Sequence, residues 1–390
     1  MMLRKLKPIV FVSFVIVALA LPQGAYAIPS FAKKYGLACS SCHTAWPLLN
    51  AFGRRFKENG YRVNREQEAS KEDHVKTDAL SLYKFTYLTI RTKGFLYDKK
   101  RHSEGKVRAF HEAELMFAGN VFESVSTWIE IEAEDEDNFE PKFEIGVVGF
   151  HPFEEFNVLA GYGPVFWADP YDSLADGGRR MTRAHKAMMD LAYATDQKLR
   201  ESTQFITAYG RLAKRVFYDL GISTGIDDPE GEDDIDFHGR LAIDVTNDIM
   251  IGGFLLAGQK SIDEVTEASL DFTRGGFDVQ IQTSRFEILG ALMFTKDDID
   301  VTGLDENNHV FYVQAMYFYR KDKRPLVVPI VRIESYTLND GNDTFTDGVF
   351  NLTFYPIENV NLSVEFWTNL DTPSGIPKSN RITFLFNTVF

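Results

Sequence analysis

The stretch "STWIEIEAE", residues 126–134, decides the fold because its residues alternate in polarity at almost every step. Successive side chains of a β-strand point to opposite faces, so a strand over these residues has one acidic face and one apolar face. The acidic face carries Glu130, Glu132 and Glu134, and the apolar face carries Ile129, Ile131 and Ala133. The chain therefore needs an architecture that gives the two faces of a strand different surroundings.

Similar alternation continues from about residue 79 to the end of the chain. It is clear in "SLYKFTYLTIR" (81–91), "FEIGVVGF" (143–150) and "HVFYVQAMYFY" (309–319). Period-two patterns of this length predict strands rather than helices. A soluble β-sandwich and a membrane β-barrel would both produce them.

The connections between the predicted strands separate these two folds, because short links alternate with long polar ones. The short links are 119–122, 151–154, 211–213, 246–248, 283–285, 320–324 and 356–359, and the long ones are 93–106, 135–139, 164–201, 224–235, 259–274, 296–308, 337–346 and 370–379. The pattern predicts an all-β fold over residues 79–390, a transmembrane antiparallel up-and-down barrel of about sixteen strands in the outer membrane. Short turns would face the periplasm, glutamates such as Glu130 would line the lumen, and the apolar faces would meet lipid.

The last strand and the aromatic content agree with a membrane barrel. In "RITFLFNTVF" (381–390) one face is apolar apart from Thr388, and it carries Ile382, Phe384, Phe386 and Phe390. A terminal phenylalanine after such a strand resembles the end signal of outer-membrane barrels. The 33 phenylalanines and 16 tyrosines suit aromatic girdles at the membrane interfaces, although core packing also uses such residues. Candidate girdle residues are Tyr317, Phe318, Tyr319, Phe354, Tyr355, Phe366 and Trp367.

One long link differs from the rest. Within 164–201, residues 179–200 have the composition of a helix, which we expect either to cap the pore or to fold into it.

Residues 1–27 have the features of a secretory signal peptide. Three basic residues precede the apolar stretch 8–21, and "AYA" at 25–27 is a small-x-small cleavage site. A membrane anchor is the alternative, but the apolar stretch is shorter than the ~20 residues of a spanning helix. Cleavage would change the net charge from −14 to about −17, which argues against nucleic acid as a partner.

Both cysteines of the chain lie in "LACSSCHTAW", residues 37–46. The order Cys39-x-x-Cys42-His43 is the attachment pattern of c-type haem, in which two thioethers hold the porphyrin and the adjacent imidazole ligates the iron. A thioredoxin-like site would need a βαβ context, and a structural zinc site would need four ligands. The motif therefore predicts one covalent haem c, attached through Cys39 and Cys42 and ligated by His43.

The segment around the motif, within residues 28–78, is too short to form a core of its own. Leu48, Leu49, Phe52 and Phe56 give a short helix an apolar stripe, and the basic residues Arg54, Arg55 and Lys57 lie off that stripe. We expect residues 28–62 to form a haem-bearing plug in or under the periplasmic mouth of the barrel. Its basic face would contact acidic residues of the wall.

The plug sequence resembles the leader of a known family. The matching residues are Pro29-Ser30-Phe31-Ala32, Gly36, the motif at 39–43, Pro47, Phe52-Gly53-Arg54, Phe56-Lys57 and Gly60-Tyr61. They resemble the fused monohaem c-type cytochrome–porins of the outer membrane, which include ferrous-iron oxidases of iron-oxidising bacteria. The match covers about a tenth of the chain. It implies that electrons from extracellular Fe(II) reach a periplasmic carrier through the haem.

Neither the motif nor the resemblance identifies a sixth ligand of the haem iron. Candidates are the histidines and methionines that could face the lumen, although each alone is more often structural. They are His111, Met116, His151, His185, Met181, Met188 and Met189.

Acidic runs fall on or beside the long links, at 134–137, 227–236 and 297–300. They could concentrate Fe²⁺ at the outer mouth, bind Ca²⁺ or Mg²⁺ beside lipid head groups, or simply be solvated.

The expected function is outer-sphere electron transfer, which needs no acid–base catalyst, so the sequence assigns no catalytic residue and leaves open whether the protein counts as an enzyme. Two alternatives stay open, namely a passive diffusion porin with a structural haem plug and the export of electrons to extracellular oxidants.

Overall fold

The computed structural model describes residues 30–63, 74–76, 81–83, 88–122, 124–174, 181–225, 235–263, 268–299, 304–321 and 324–390. The predicted signal peptide and the acidic residues 227–234 lie outside the described residues.

Sixteen antiparallel strands form a closed barrel, which confirms the predicted all-β fold and strand number. The strands are β1 (Leu88–Lys100), β2 (Lys106–Phe122), β3 (Val125–Glu134), β4 (Lys142–Phe150), β5 (Asn157–Pro164), β6 (Ser202–Leu212), β7 (Val216–Thr224), β8 (Ile235–Asp244), β9 (Ile249–Asp263), β10 (Ala268–Gln282), β11 (Phe286–Asp298), β12 (Asp305–Tyr317), β13 (Arg324–Leu338), β14 (Asp343–Ile357), β15 (Val360–Asp371) and β16 (Asn380–Val389). Residues Tyr319–Lys321 continue β12 along β13. The barrel closes where β16 pairs with β1, with Val389 opposite Arg91.

The strands follow the polarity pattern of the sequence. In β3 the side chain of Glu130 is buried in the interior, while Ile129 and Ile131 are exposed on the outer wall. Large apolar residues such as Leu220 and Phe277 lie on the same outer wall. Because side chains alternate along each strand, the interior becomes polar and the exterior apolar, as the sequence predicts.

The two rims of the barrel differ in how strands are joined. At the short-link rim the strands follow each other closely, as where β14 ends at Ile357 and β15 begins at Val360. At the long-link rim β5 ends at Pro164 and β6 begins only at Ser202.

Several predicted links at the long-link rim are wrong in extent. Residues 93–106, 259–274 and 337–346 were predicted as links, but β1 continues to Lys100, β9 to Asp263 and β13 to Leu338. The strands keep their backbone hydrogen-bond ladder beyond the apolar belt, where both faces become polar. The polarity of the sequence therefore marked where the apolar outer surface of the barrel ends, and not where each strand ends.

The prediction of a helix over residues 179–200 is also wrong. Within 181–200 the structure contains one short helix, α4 (Ala187–Asp190). Glu365 accepts hydrogen bonds from the backbone N–H groups of Arg183 and Ala184 at 2.7 and 2.8 Å, and Glu334 accepts one from Ala187 at 2.8 Å. Carboxylates of the wall thus bind backbone N–H groups in place of helical carbonyls.

The long link between β5 and β6, which contains α4, folds into the lumen, which is one of the two predicted positions. Phe166, Leu174, Met188 and Leu199 are buried against apolar side chains on the inner faces of the strands. The lumen beside them is thus occupied by the chain itself.

The amino-terminal segment 30–63 is compact. It contains α1 (Ser30–Tyr35), α2 (Cys39–Cys42) and α3 (Ala51–Glu58), with a small hairpin formed by His43–Ala45 and Leu48–Leu49. The Asn50 side chain caps α3 by accepting from the N–H of Gly53 at 2.9 Å. A separate two-stranded sheet pairs His74–Lys76 with Ser81–Tyr83, the first residues of the strand predicted over 81–91, and the described barrel begins at Leu88.

The aromatic candidates divide between the two sides of the wall. Tyr317, Tyr319 and Phe366 are exposed on the outside, as a girdle requires. Phe318 and Tyr355 are instead fully buried in the interior core, so the girdle prediction is wrong for them.

No helix among the described residues is long and apolar enough to cross a membrane.

Candidate cofactor-binding site

The amino-terminal segment, which we call the plug (residues 30–63), lies inside the short-link rim. Ser40 of α2 donates from its N–H and its hydroxyl to the carboxylate of Glu358, at 3.3 and 3.1 Å. The Tyr355 hydroxyl donates to the carbonyl of Trp46 at 2.6 Å. These contacts hold the cysteine-containing helix and the hairpin after it against the link between β14 and β15.

The basic face of α3 contacts the wall, but mostly not through acidic partners. Arg54 donates to Gln282 at 2.6 Å, and Lys57 donates to the backbone carbonyls of Trp167 and Asp169. The prediction of acidic wall partners is therefore wrong for these two residues.

The other charges of α3 do meet opposite charges. Arg55 lies 3.6 Å from Glu154 and 3.9 Å from Asp244, as predicted. The acidic residue of the helix, Glu58, forms a buried ion pair with Arg211 of β6 at 2.6 Å.

The geometry of His43 suits a metal ligand. Its Nδ1 lies 3.0 Å from the carbonyl oxygen of Pro47, which can only accept, so Nδ1 carries the proton. The other ring nitrogen, Nε2, is then the one that would bind iron. A hydrogen bond to a backbone carbonyl is the usual way in which proteins fix the tautomer of a ligating histidine.

A cavity of about 180 Å³ lies between the plug and the barrel wall. Its plug side includes Cys39, Cys42 and His43, and its wall side includes Met116 of β2 and Trp128 of β3. The lining is mainly apolar. Two thiols, an imidazole and a thioether around an apolar cavity are the groups that a c-type haem uses, so the residues present fit that cofactor.

The thiols themselves do not have the properties of a redox-active pair. Burial raises the pKa of both Cys39 and Cys42 to about 11, and for Cys39 the nearby carboxylate of Glu358 adds to the effect. Reactive thiol pairs of the thioredoxin type instead have a lowered pKa. The three close groups of metal-binding side chains found among the described residues all lie on β2, β3 and the residues after β3, away from the cysteines. Both observations disfavour the thioredoxin and zinc alternatives.

Of the seven candidates for a distal ligand, Met116 lies at this cavity. Its cross-strand neighbour is Thr89 of β1, whose hydroxyl oxygen accepts from the N–H of Ser30 at 3.3 Å and lies 3.2 Å from the Ser30 hydroxyl. This contact joins the start of α1 to the wall directly beside Met116.

The other six candidates lie elsewhere or have other partners. His151 bonds Ser126 at 2.6 Å and Tyr209 at 3.0 Å, and the Met181 sulfur lies 3.4 Å from the Tyr355 hydroxyl. His111 and His185 line a second cavity, while Met188 and Met189 are buried in the segment that fills the lumen.

The second cavity, of about 410 Å³, has a polar lining and extends toward the long-link rim. Arg91 and Glu130 line both cavities, so the two are adjacent. Of the acidic runs, Glu134 and Glu136 of 134–137 line this second cavity. Asp297 of 297–300 is instead buried in an ion pair with Arg274 at 2.6 Å, so this carboxylate is neither solvated nor available to a cation at the outer mouth.

Sequence reasoning missed two aromatic residues that line the first cavity. Trp128 has the same parity as Glu130 within β3, so its inward orientation could have been deduced. Trp167 lies in the long link, where no periodic pattern indicates which side chains face the plug.

No protein-family model matches the chain, and no curated protein matches it. Solved structures do resemble it. An anion-selective porin from Comamonas acidovorans aligns with a TM-score of 0.58 and 11% identity, over 78% of this chain and 98% of that one. Salmonella typhi OmpF, in complex with daunomycin, aligns with a TM-score of 0.58 and 10% identity, over 81% and 100%. Pseudomonas putida OprB aligns with a TM-score of 0.54 and 9% identity, over 78% and 93%. The chain therefore has a porin-like β-barrel fold.

Proposed function

We propose that this protein transfers electrons across the outer membrane through a single covalent c-type haem held between the plug and the barrel wall. The donor is extracellular Fe(II), and the acceptor is a periplasmic electron carrier. The observation that carries the proposal is the apolar cavity, which brings Cys39, Cys42 and His43 of the plug to Met116 of the wall. Export by the signal peptide 1–27 and an outer-membrane location belong to the same proposal.

Each residue at the cavity has a defined role in holding the cofactor. Cys39 and Cys42 would form the two thioether bonds, and His43, through Nε2, and Met116 would ligate the iron. A haem with these ligands supplies a one-electron couple, whose potential methionine ligation raises relative to two histidines.

The protein's contribution is to exclude water and to fix the two ligand-bearing elements. The ring centroids of Tyr61 and Trp128 lie 5.8 Å apart, and those of Trp128 and Trp167 lie 5.6 Å apart, so aromatic rings cover the wall side of the cavity. The bonds from Ser40 to Glu358 and from Ser30 to Thr89 hold His43 and Met116 in a fixed relation. Outer-sphere transfer needs such fixed positions and no proton-transfer residue.

The test is a redox titration of the purified mature protein in detergent, followed by its visible spectrum and its intact mass. We expect one haem per chain, a c-type spectrum after reduction, and reduction of the ferric protein by Fe²⁺. The measured potential also decides between inward and outward electron flow. A colourless protein whose mass equals that of the polypeptide alone would overturn the proposal.

The fold comparisons favour a second function, passive diffusion, more directly than they favour electron transfer, because the similar structures include porins. In that case the plug would be structural and the barrel would conduct solutes. The occupied lumen argues against an open channel, since the segment after β5 packs across it. Bilayer conductance of the full-length chain separates the two functions.

A further inference from the structure

The second cavity has an unusual excess of negative charge. Seven glutamates line it, against four arginine or lysine residues. Such an excess inside a barrel, away from bulk water, favours the entry of cations. Charge alone does not make a binding site, so the arrangement of the individual groups decides.

The pairing of β2 with β3 places glutamates directly opposite each other. Glu112 is opposite Glu134, and Glu114 is opposite Glu132. Like charges in directly opposite positions destabilise a sheet. Lys93 and Arg91 donate to Glu112, and Arg91 also donates to Glu114, so the charge on β2 is partly balanced and the excess is on Glu132 and Glu134 of β3. A cation bound within this cavity lining would balance that excess.

A bulge adds a histidine to these carboxylates. The register of β1 and β2 shifts between Lys93 and Phe95, and as a result both His111 and Glu112 are buried in the interior. In a regular strand these consecutive side chains would face opposite sides, and bulges are known to redirect side chains in this way. His111 Nε2 lies 3.9 Å from Glu112 Oε2 and 3.7 Å from Glu134 Oε1.

Asp135 sets the orientation of the imidazole. Its Oδ1 lies 2.9 Å from His111 Nδ1, and it also pairs with Arg108, which itself approaches Nδ1 at 2.8 Å. Arg108 can only donate, so it bonds Nδ1 when the imidazole proton is on Nε2; when the proton is on Nδ1, Asp135 accepts from both groups. Nε2 then presents its lone pair toward the two glutamates, which is the carboxylate–histidine arrangement found behind metal ligands.

A second observation is independent of the histidine. Glu114 is 1% exposed, and its Oε1 accepts from Arg91, but its Oε2 has no hydrogen-bond partner. A buried carboxylate oxygen without a donor is costly. Because Glu114 lines the same cavity and its ligand oxygen lies within 4.8 Å of those of Glu112 and Glu132, a cation there would satisfy it.

We propose that this cluster binds one divalent first-row transition-metal ion of the Mn²⁺ and Fe²⁺ class, with His111, Glu112 and Glu134 as ligands and with Glu114 and Glu132, which group with Glu112, beside them. Carboxylate oxygens suit hard divalent cations, and the imidazole favours a transition metal over Ca²⁺ or Mg²⁺. Because Arg91 and Glu130 line both cavities, the ion lies beside the haem cavity. In the proposed function, on which this last step rests, Fe²⁺ at this site is the electron donor.

The test uses Mn²⁺ alone as the probe, added to the purified full-length protein in detergent with the haem kept ferric. Bound Mn²⁺ loses the six-line electron paramagnetic resonance signal of the free ion, and pulsed measurements detect coupling to the nitrogen of a ligating imidazole. We expect one Mn²⁺ per chain with nitrogen coupling. His111→Gln should remove the coupling, and both His111→Gln and Glu134→Gln should weaken binding at least about tenfold.

Glu140→Gln is the matched control, since Glu140 is an exposed glutamate in the link that follows β3. We expect it to bind Mn²⁺ as the unaltered chain does. No binding, binding without nitrogen coupling, or an equal loss in Glu140→Gln would overturn the site. A chain that binds Mn²⁺ but carries no haem would refute the proposed function and leave the site standing, and a haem-bearing chain that binds no Mn²⁺ would do the reverse.

Discussion

On β2, side chains two residues apart line different cavities. Glu114 lines the second cavity, which we call the acidic cavity, and Met116 lines the first, apolar cavity. Two residues along a strand span about 7 Å. Glu130, opposite Met116 in the β3 register, lines both cavities. The change from a cavity lined by carboxylates to a cavity lined by a thioether therefore takes place within one step of the inward-facing residues. A donor ion and the haem would be close enough for direct electron transfer.

Met116 gives the first residue-scale prediction. Met116→His should lower the reduction potential by on the order of 0.1 V, because histidine in place of methionine as the axial ligand stabilises ferric iron. The methionine-to-iron charge-transfer band of the ferric protein should disappear. Met250→Leu, at a buried methionine of β9, is the control. An unchanged potential in Met116→His would mean that another group holds the sixth position.

His43 gives the second residue-scale prediction. His43→Ala removes the proximal ligand, so the absorbance change of the haem on adding Fe²⁺ to intact cells should be abolished. The barrel should still assemble, because the strands do not depend on this side chain. His309→Ala, an exposed position on β12, serves as the control and should keep the response. Persistence of the response in His43→Ala would remove the haem from the electron path.

At the level of elements, the plug and the barrel differ in how far the sequence determines them. The parity rule placed Glu130 inside and Ile129 outside, because a strand permits only two orientations. The motif located Cys39, Cys42 and His43, but the wall residue opposite them depends on where the plug docks, which no local pattern encodes. Residues 179–200 have helical composition, yet Arg183 and Ala187 bond to Glu365 and Glu334, so tertiary contacts overrode local propensity.

The docking of α3 gives an element-scale prediction. Glu58 and Arg211 form a buried pair, and breaking such a pair costs about 3–5 kcal/mol; the half-exposed Arg55, 3.4 Å from Glu58, offsets only part of that cost. Arg211→Met should therefore speed the amide hydrogen exchange of residues 30–63 by roughly 100-fold or more, while exchange in the strands on the far side of the barrel stays slow. Mass spectrometry of deuterated peptides measures both. The double variant Glu58→Gln/Arg211→Met should recover much of the protection, and a lack of any effect in Arg211→Met would show that other contacts hold the plug.

At the level of the whole molecule, two segments of the chain occupy the lumen of a porin-like barrel. The plug lies in the short-link rim, and the segment after β5 packs across the interior with Phe166 and Leu174 in its core. Behind that segment the wall is charged, with Arg240 paired to Asp278 at 2.8 Å. An insulated cofactor site requires a closed barrel, and a diffusion porin requires an open one, so the electrical behaviour of the molecule reports its function.

The conductance of the barrel is the last prediction. The full-length chain in a planar bilayer should show almost no conductance at low voltage, because its own residues fill the lumen. Replacing residues 165–201 with a short Gly/Ser link should open stable current steps, and these should favour cations, since glutamates outnumber basic residues in the lining of the acidic cavity. A second variant that removes only the exposed link 373–378 should remain closed, which controls for a general loosening of the long-link rim. Large ohmic steps from the full-length chain, with or without haem, would instead identify a diffusion porin and would reject an insulated electron path.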